Sequence, residues 1–261
     1  MERVLTIAGS DPCGGAGIQA DLKTFFARGV YGMSVVTAVT AQNTVSVDGV
    51  FPLPADFVKL QINSVMSDIG ADIWKTGMLA TGKIINTVSE RARYYNTRYL
   101  IVDPIMVSKT GSALLEESAR KSLIENLLPI TFLATPNHYE AEILAGIHIK
   151  TLTDVKESAR VIHQFGPRYV LIKGGHLTSE QEAVDILFDG NKFQEFRSPW
   201  IKTKNTHGTG CTLASAISAE LAKGKHIIEA ISLAKSYTTK AIQKGTRWKI
   251  GHGNGPLNHD V

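Results

Sequence analysis

The stretch NTHGTGCT, residues 205–212, places two glycines and a cysteine directly ahead of an apolar helical pattern. Gly208 and Gly210 free the backbone to aim successive N–H groups at one spot, and the helix that follows adds the positive end of its dipole. Such a turn can hold an anion or stabilise a phosphoryl group in transfer. The same field would lower a thiol pKa and make Cys211 a thiolate. The alternative is a small hydrophobe packed under the turn. His207 could cap, bind phosphate or face solvent, and no partner pattern marks it as a metal ligand.

Other chemistry-bearing residues stand where apolar runs end. After the first run comes GSDPCGGAGIQAD, in which Gly15, Gly17 and Ala20 satisfy the dinucleotide pattern G-x-G-x-x-A. That motif needs an acid near the end of the second strand, and the second strand here ends AQN. The better reading is a glycine turn that lets backbone approach a ligand. Asp21 lies one helical turn inside the following helix, as a site residue or a solvated one. Asp103 closes the apolar run YLIV. Asn137 and Glu140 share one face at the start of a helix, as cation ligands or as a capping box. Lys173 ends the run YVLI, as a phosphate partner or a snorkelling lysine. No G-x-x-x-x-G-K-[ST] occurs, so this is not a P-loop enzyme.

The elements that must position these residues alternate. VLTIAG, MSVVTAVTA, ADIWKTGML, YLIVDPIMV, FLATPN and YVLIKGG read as strands. Helical patterns lie among them. One has Ile18, Leu22, Phe25 and Phe26 on a face and ends at Gly29. Another is amphipathic through Phe57, Leu60 and Val65. Others are ALLEESARKSLIENLL, EAEILAG and VKESARVIHQFG. The pattern predicts an α/β fold with a mostly parallel sheet covered on both faces, and ligands outside the carboxyl ends of the strands. AVDILFDGNKFQEFRSP predicts a hairpin around Asp189-Gly190. Two closing helices follow; Ala214, Ser215, Ala216 and Ser218 predict close packing of the first. The turn-rich tail GHGNGPLNHDV is expected to be loosely held. With no linker, repeat or charge block, residues 1–261 are expected to form a single domain.

The chain has 261 residues, 43% of them hydrophobic and 20% charged, with a formal net charge of +4. That is ordinary globular composition. It has no basic cluster or aromatic-basic stripe for nucleic acid and no apolar run that could span a membrane. Two distant cysteines without CxxC give neither a disulfide framework nor a zinc pattern. A cytoplasmic location is expected, with no signal-peptide pattern in MERVLTIAGSD.

The motifs AGSDPCGGAGIQADLKTF, TAQNT, KTGML, VDPIMVSKTG, TPNHYEAE, IKGGH and NTHGTGCT occur in this order from Val4 to about Ile242. Together they resemble the hydroxymethylpyrimidine and phosphomethylpyrimidine kinases of thiamin biosynthesis, in the ribokinase-like superfamily. The resemblance implies a three-layer sandwich and a homodimer. It also implies ATP- and Mg²⁺-dependent phosphorylation of 4-amino-5-hydroxymethyl-2-methylpyrimidine, first to the monophosphate and then to the diphosphate. It assigns Gly9, Asp21, Gln42 and Met78 to the pyrimidine. Asp103, Asn137, Glu140, Lys173 and Thr209 fall around the nucleotide phosphates, with Asn137 and Glu140 toward Mg²⁺. Gly208, Gly210 and Cys211 form the anion hole, with Cys211 as the base. The sequence departs from the family at Cys13, where many relatives carry serine, at Lys202, where some are acidic, and at Gln42, where some carry glutamate. The rival activity is a pyridoxal or pyridoxine kinase of the same superfamily. The rival of another class is a catalytically silent ligand sensor.

Overall fold

A computed structural model of the chain describes residues 1–106, 117–174 and 181–261. The VSKTG part of one motif, the GH part of another and the beginning of the helix expected in ALLEESARKSLIENLL lie outside these residues. The strands are β1 (Arg3–Ser10), β2 (Tyr31–Gln42), β3 (Val47–Pro52), β4 (Ile73–Thr76), β5 (Leu100–Val102), β6 (Leu133–Ala134), β7 (Tyr169–Lys173), β8 (Glu182–Phe188) and β9 (Phe193–Pro199). They form one sheet of nine strands in the order β3-β2-β1-β4-β5-β6-β7-β8-β9. From β2 across to β7 all neighbours pair in parallel. β3 and the β8–β9 hairpin join antiparallel at the two ends. The hairpin expected around Asp189-Gly190 is present; β3 had no counterpart among the expected strands.

Helices cover both faces. On one side lie α1 (Gly17–Ala27), α7 (Thr209–Ala222) and α8 (Ile227–Gly245). On the other lie α2 (Ala55–Asp68), α3 (Gly82–Tyr94), α4 (Glu117–Ser122), α5 (His138–Ala145) and α6 (Leu152–Gln164). Between α4 and β6 the chain passes through a π turn and a 3₁₀ turn. Strand alternation divides the core: Leu5, Ile7 and Trp74 face one layer, while Val4 and Ile73 face the other. These side chains are essentially fully buried, and truncating one to alanine costs roughly 2–5 kcal/mol. α7 is buried on every side, because Ala214, Ser215, Ala216 and Ser218 let neighbours approach closely, as their small size predicts.

Three expectations are corrected. Phe26 is 87% exposed, because consecutive helical residues diverge by about 100° and Phe25 takes the inward position. Phe57 and Leu60 are exposed as well; the inward stripe of α2 runs through Val58 and Ile62, with Val65 packed at its margin. The tail is not loose. Leu257 and His259 are buried, and Asn258 N–H donates to Ala241 O.

The strand order sets the site. The chain leaves β1 for β2 on one side and reaches β4 on the other, so the order reverses between β1 and β4. A crevice opens at such a switch point, outside the carboxyl ends of the strands. The exits there are Gly9–Asp11 at the end of β1 and Gly77–Met78 after β4.

Candidate active site

The loop after β1 is organised by Asp11. Its carboxylate accepts N–H groups of Cys13 (3.0 Å), Gly15 (3.1 Å) and Ala16 (2.8 Å) and the Cys13 thiol (3.2 Å). A short acid ahead of a glycine run makes such a turn by bonding its own backbone. The His207 ring adds a further bond, Nε2 to Asp11 Oδ2 at 2.8 Å. A carboxylate oxygen only accepts, so Nε2 carries the proton. Burial works against the Asp11 carboxylate, but His207 and Cys13 outweigh it and hold the carboxyl down at about 2. Burial, helped by Asp11, pushes the Cys13 thiol up to about 11. Asp11, Cys13 and His207 bring their ligand-type atoms within 4.8 Å of one another, but the Asp11 oxygens are already taken by backbone N–H groups.

This loop interlocks with the turn that opens α7. Gly208, at φ 85°, has no room for a side chain: a Cβ there would lie 1.7 Å from Gly15 O. The tail closes the third side. His207 N–H donates to Gly255 O, and Asn254 N–H to Thr44 O in the β2–β3 turn. Cβ atoms at Gly253 and Gly255 would collide with Thr44 O and Asn205 Oδ1 at 1.9 and 2.1 Å.

These walls line an open cleft of about 150 Å³. Gly9, Gln42 and Met78 line one end, with Thr40, Val47 and Asn254. A Cβ at Gly9 would sit 2.6 Å from Met78 Cε, so only glycine leaves the methionine its place. Thr40 Oγ1 donates to Ser10 O at 3.0 Å and lies 3.3 Å from Gln42 Oε1.

Asp103, Asn137, Glu140 and Lys173 line the other end, beside Gly208, Gly210 and Cys211. Lys173 Nζ donates to Asp103 Oδ1 at 2.6 Å, and the Thr135 hydroxyl donates to the same oxygen at 3.2 Å. Burial disfavours the Lys173 ammonium, but Asp103 and Glu140 prevail and raise its pKa. A Cβ at Gly210 would lie 3.1 Å from Lys173 Nζ, so the missing side chain lets the ammonium reach the turn. Asn137 and Glu140 do form the capping box of α5, at 2.9 and 2.8 Å. The same two residues also face the cleft. Burial pushes the Glu140 carboxyl up to about 7; Lys173 opposes the rise and Asp103 adds to it. The carboxylate oxygens of Asp103 and Glu140 and the amide oxygen of Asn137 are the donor type that suits a hard cation keeping part of its water shell.

Two expected site residues do not reach the cleft. Asp21 is fully buried beneath it, its carboxylate taken up by Lys75, Thr6 and Ser215. Thr209 spends its hydroxyl on Thr206 O at 2.7 Å, inside the turn. The lowered thiol pKa expected at Cys211 is also corrected. The residue is 6% exposed, and burial pushes its thiol up to about 11. Lys75 and the Gly17 N–H oppose the rise, while Asp21 and Asp103 add to it. Desolvation outweighs the helix end. Lys202 is exposed ahead of the turn, and nothing in the structure explains it. Sequence reasoning missed Asp11, Lys75 and Asn254. Asp11 had a readable signal in its glycine turn, and Lys75 in its place within an apolar strand.

The phosphomethylpyrimidine kinase family model matches residues 11–258. A thiamine biosynthetic bifunctional enzyme of Arabidopsis thaliana is 48% identical over 99% of this chain and 50% of its own length. The chain thus spans about half the length of the first curated relatives it matches. A hydroxymethylpyrimidine/phosphomethylpyrimidine kinase of Streptomyces coelicolor is 48% identical over 98% of this chain and 93% of its own. Among solved structures, a pyridoxal kinase from Staphylococcus aureus with AMP-PCP superposes with a TM-score of 0.91 at 38% identity, covering 100% of this chain and 94% of that one. A phosphomethylpyrimidine kinase from Clostridium difficile gives a TM-score of 0.82 at 48% identity, covering 93% and 100%. With a glycine-cysteine turn and a lysine-aspartate pair in one cleft of a ribokinase-like sheet, and with a family model matched over nearly its whole length, the chain belongs to the phosphomethylpyrimidine kinase family.

Proposed function

We propose that this chain is a single-domain kinase that uses ATP and Mg²⁺ to phosphorylate 4-amino-5-hydroxymethyl-2-methylpyrimidine and then its monophosphate. The observation that carries this reading is the juxtaposition in one cleft of the Gly9–Gln42–Met78 slot with the Gly208–Cys211 turn and Lys173. A flat aminopyrimidine would lie against Met78 and the Gly9 backbone, which line the same cleft. The Gln42 amide can both donate to and accept from its ring. The hydroxymethyl group then faces the turn.

In the first transfer the alcohol oxygen bonds to the γ-phosphorus of ATP and the bond to ADP breaks. The N–H groups of Gly208, Gly210 and Cys211 would stabilise the charge on the moving phosphoryl oxygens. Lys173 would neutralise phosphate charge as a point cation. Asn137 and Glu140 would hold Mg²⁺, which supplies charge neutralisation at the phosphates when bound. Cys211 is the base in this reading. It takes the alcohol proton in its thiolate form, which a pKa of about 11 makes scarce near neutrality but strongly basic.

The chain's own surface supports the homodimer. Val39 on β2, Phe51 on β3 and Phe57 on α2 are all more than 45% exposed, and β3 is an edge strand with unpaired backbone groups. Cys13 and Cys211 are both free thiols, which suits a cytoplasmic enzyme. No helix among the described residues is long and apolar enough to cross a membrane.

A substrate panel tests the activity. ATP consumption is measured with the pyrimidine alcohol, its monophosphate, pyridoxal and pyridoxine. Turnover highest with the two pyrimidines is expected. A preference for pyridoxal or pyridoxine would move the activity to the vitamin kinases of the same fold. Background rates with all four would leave a ligand sensor.

A further inference from the structure

Lys75 lies in a strand of apolar neighbours and is fully buried. Isolating an ammonium from water costs several kcal/mol unless it is paired. Its partner is Asp21, also fully buried, with both carboxylate oxygens 2.9 Å from Lys75 Nζ. The same oxygens accept the hydroxyls of Thr6 and Ser215, each at 2.6 Å. Stability gives little reason for this arrangement, because well-packed apolar residues of similar volume often replace buried pairs at no loss.

Location gives a better reason. Ser215 stands four residues after Cys211 on α7, so the two side chains share the face that rests on Asp21. A Cβ at Gly77 would lie 3.2 Å from Lys75 Nζ, and the next residue, Met78, lines the cleft. The ammonium therefore lies against the strand exit that leads into the cleft. We propose that the buried Lys75–Asp21 pair is a positioning device for the anion hole, an oriented ion pair whose ammonium end underlies Cys211 and sets how much negative charge the turn can hold. It deepens the kinase reading and rests on it only for the consequence in turnover.

The charged groups acting on Cys211 are Lys75 from β4, Asp21 from α1, Asp103 after β5 and Lys173 at the end of β7; the Gly17 N–H adds a hydrogen bond. Lys75 and Asp21 act with opposite signs, the lysine more strongly. A merely structural pair would not give opposite effects on thiol reactivity when its halves are removed.

The test uses the full chain with Cys13→Ser, so that Cys211 is the sole thiol, and follows iodoacetamide alkylation against pH without ATP or substrate. Asp21→Asn removes the carboxylate and keeps the ammonium; alkylation near about pH 8.5 should accelerate by about tenfold. Lys75→Met with Asp21→Asn leaves no orphan charge; alkylation should fall several-fold below wild type, and kcat should fall with it while KM for ATP holds. Rates within twofold of the Cys13→Ser parent in both variants, or shifts of the same sign, would overturn the proposal. If Asp21→Asn alone does not fold, the double variant decides: slower alkylation supports the proposal, and unchanged or faster alkylation overturns it. Absence of turnover in wild type would sink the kinase reading while leaving the alkylation result standing.

Discussion

The proposed base makes a sharp demand on the pH profile. If Cys211 must be a thiolate to take the alcohol proton, and its thiol sits at about 11, the reactive fraction grows about tenfold per pH unit across roughly pH 7.5 to 9.5. Nothing comparable acts on the second transfer. Its nucleophile is a phosphate monoester, with a second pKa of about 6, already ionised over that window. Lys75 and Lys173 have raised pKa values, so both stay charged throughout. The rate with the pyrimidine alcohol should therefore climb about a hundredfold over two pH units, while the rate with the monophosphate stays level. Cys211→Ala should flatten the alcohol profile and lower it by on the order of 10²–10⁴ at its upper end, leaving the monophosphate within a few-fold. The assay is single-turnover transfer from labelled ATP, with each substrate supplied separately. A level alcohol profile in wild type, or equal losses on both substrates in Cys211→Ala, would refute the base and leave the residue as a wall of the anion hole.

Three further outcomes are expected. Glu140→Gln should raise the Mg²⁺ requirement and lower turnover, whereas a pure capping-box role would cost about 1 kcal/mol of stability and leave a Mg²⁺ titration unchanged. Cys13→Ser should keep turnover within a few-fold, since a serine hydroxyl can donate to Asp11 as the thiol does at 3.2 Å; steady-state rates check it. Burial, with Lys23 adding, pushes His259 from 6.5 down to about 4, so the folded state binds that proton less readily than the unfolded chain. The stability this contributes is complete above 6.5 and is lost as pH falls toward 4, a change of about 3 kcal/mol that urea titrations should show in wild type and largely lack in His259→Gln.

Residues at strand exits were legible because two constraints coincide there. A parallel strand is apolar throughout, so a polar residue at its end stands out, and the fold directs every such end to one side. Gly9, Gln42, Met78, Asp103 and Lys173 were found in this way or through the family motifs, and all of them line the cleft. The glycines of the turn were legible because their spacing has few other uses; Gly208 indeed leaves no room for a side chain, and a Cβ at Gly210 would press on Lys173 Nζ at 3.1 Å. Which side of a helix faces inward was harder. Phe26, Phe57 and Leu60 are as apolar as their buried neighbours, and a hydrophobic count cannot tell a core stripe from an outer face that awaits another surface.

Asp21 and the tail failed for a different reason: each depends on partners remote in sequence. Asp21 reads as a cleft residue until Lys75, 54 positions away, claims both its oxygens. The tail reads as loose until Thr44, more than 200 positions earlier, is seen to leave room only for glycine. The same long-range packing reverses the expectation at Cys211. A helix end and a glycine turn are local features and both favour a thiolate, but the enclosure of α7 on every side is a tertiary feature and its desolvation wins. The site therefore combines a turn built to attract negative charge with a burial that penalises it. A fixed ammonium placed below such a turn is the economical way to reconcile the two, because it moves no atom during turnover and needs no solvent to reorganise.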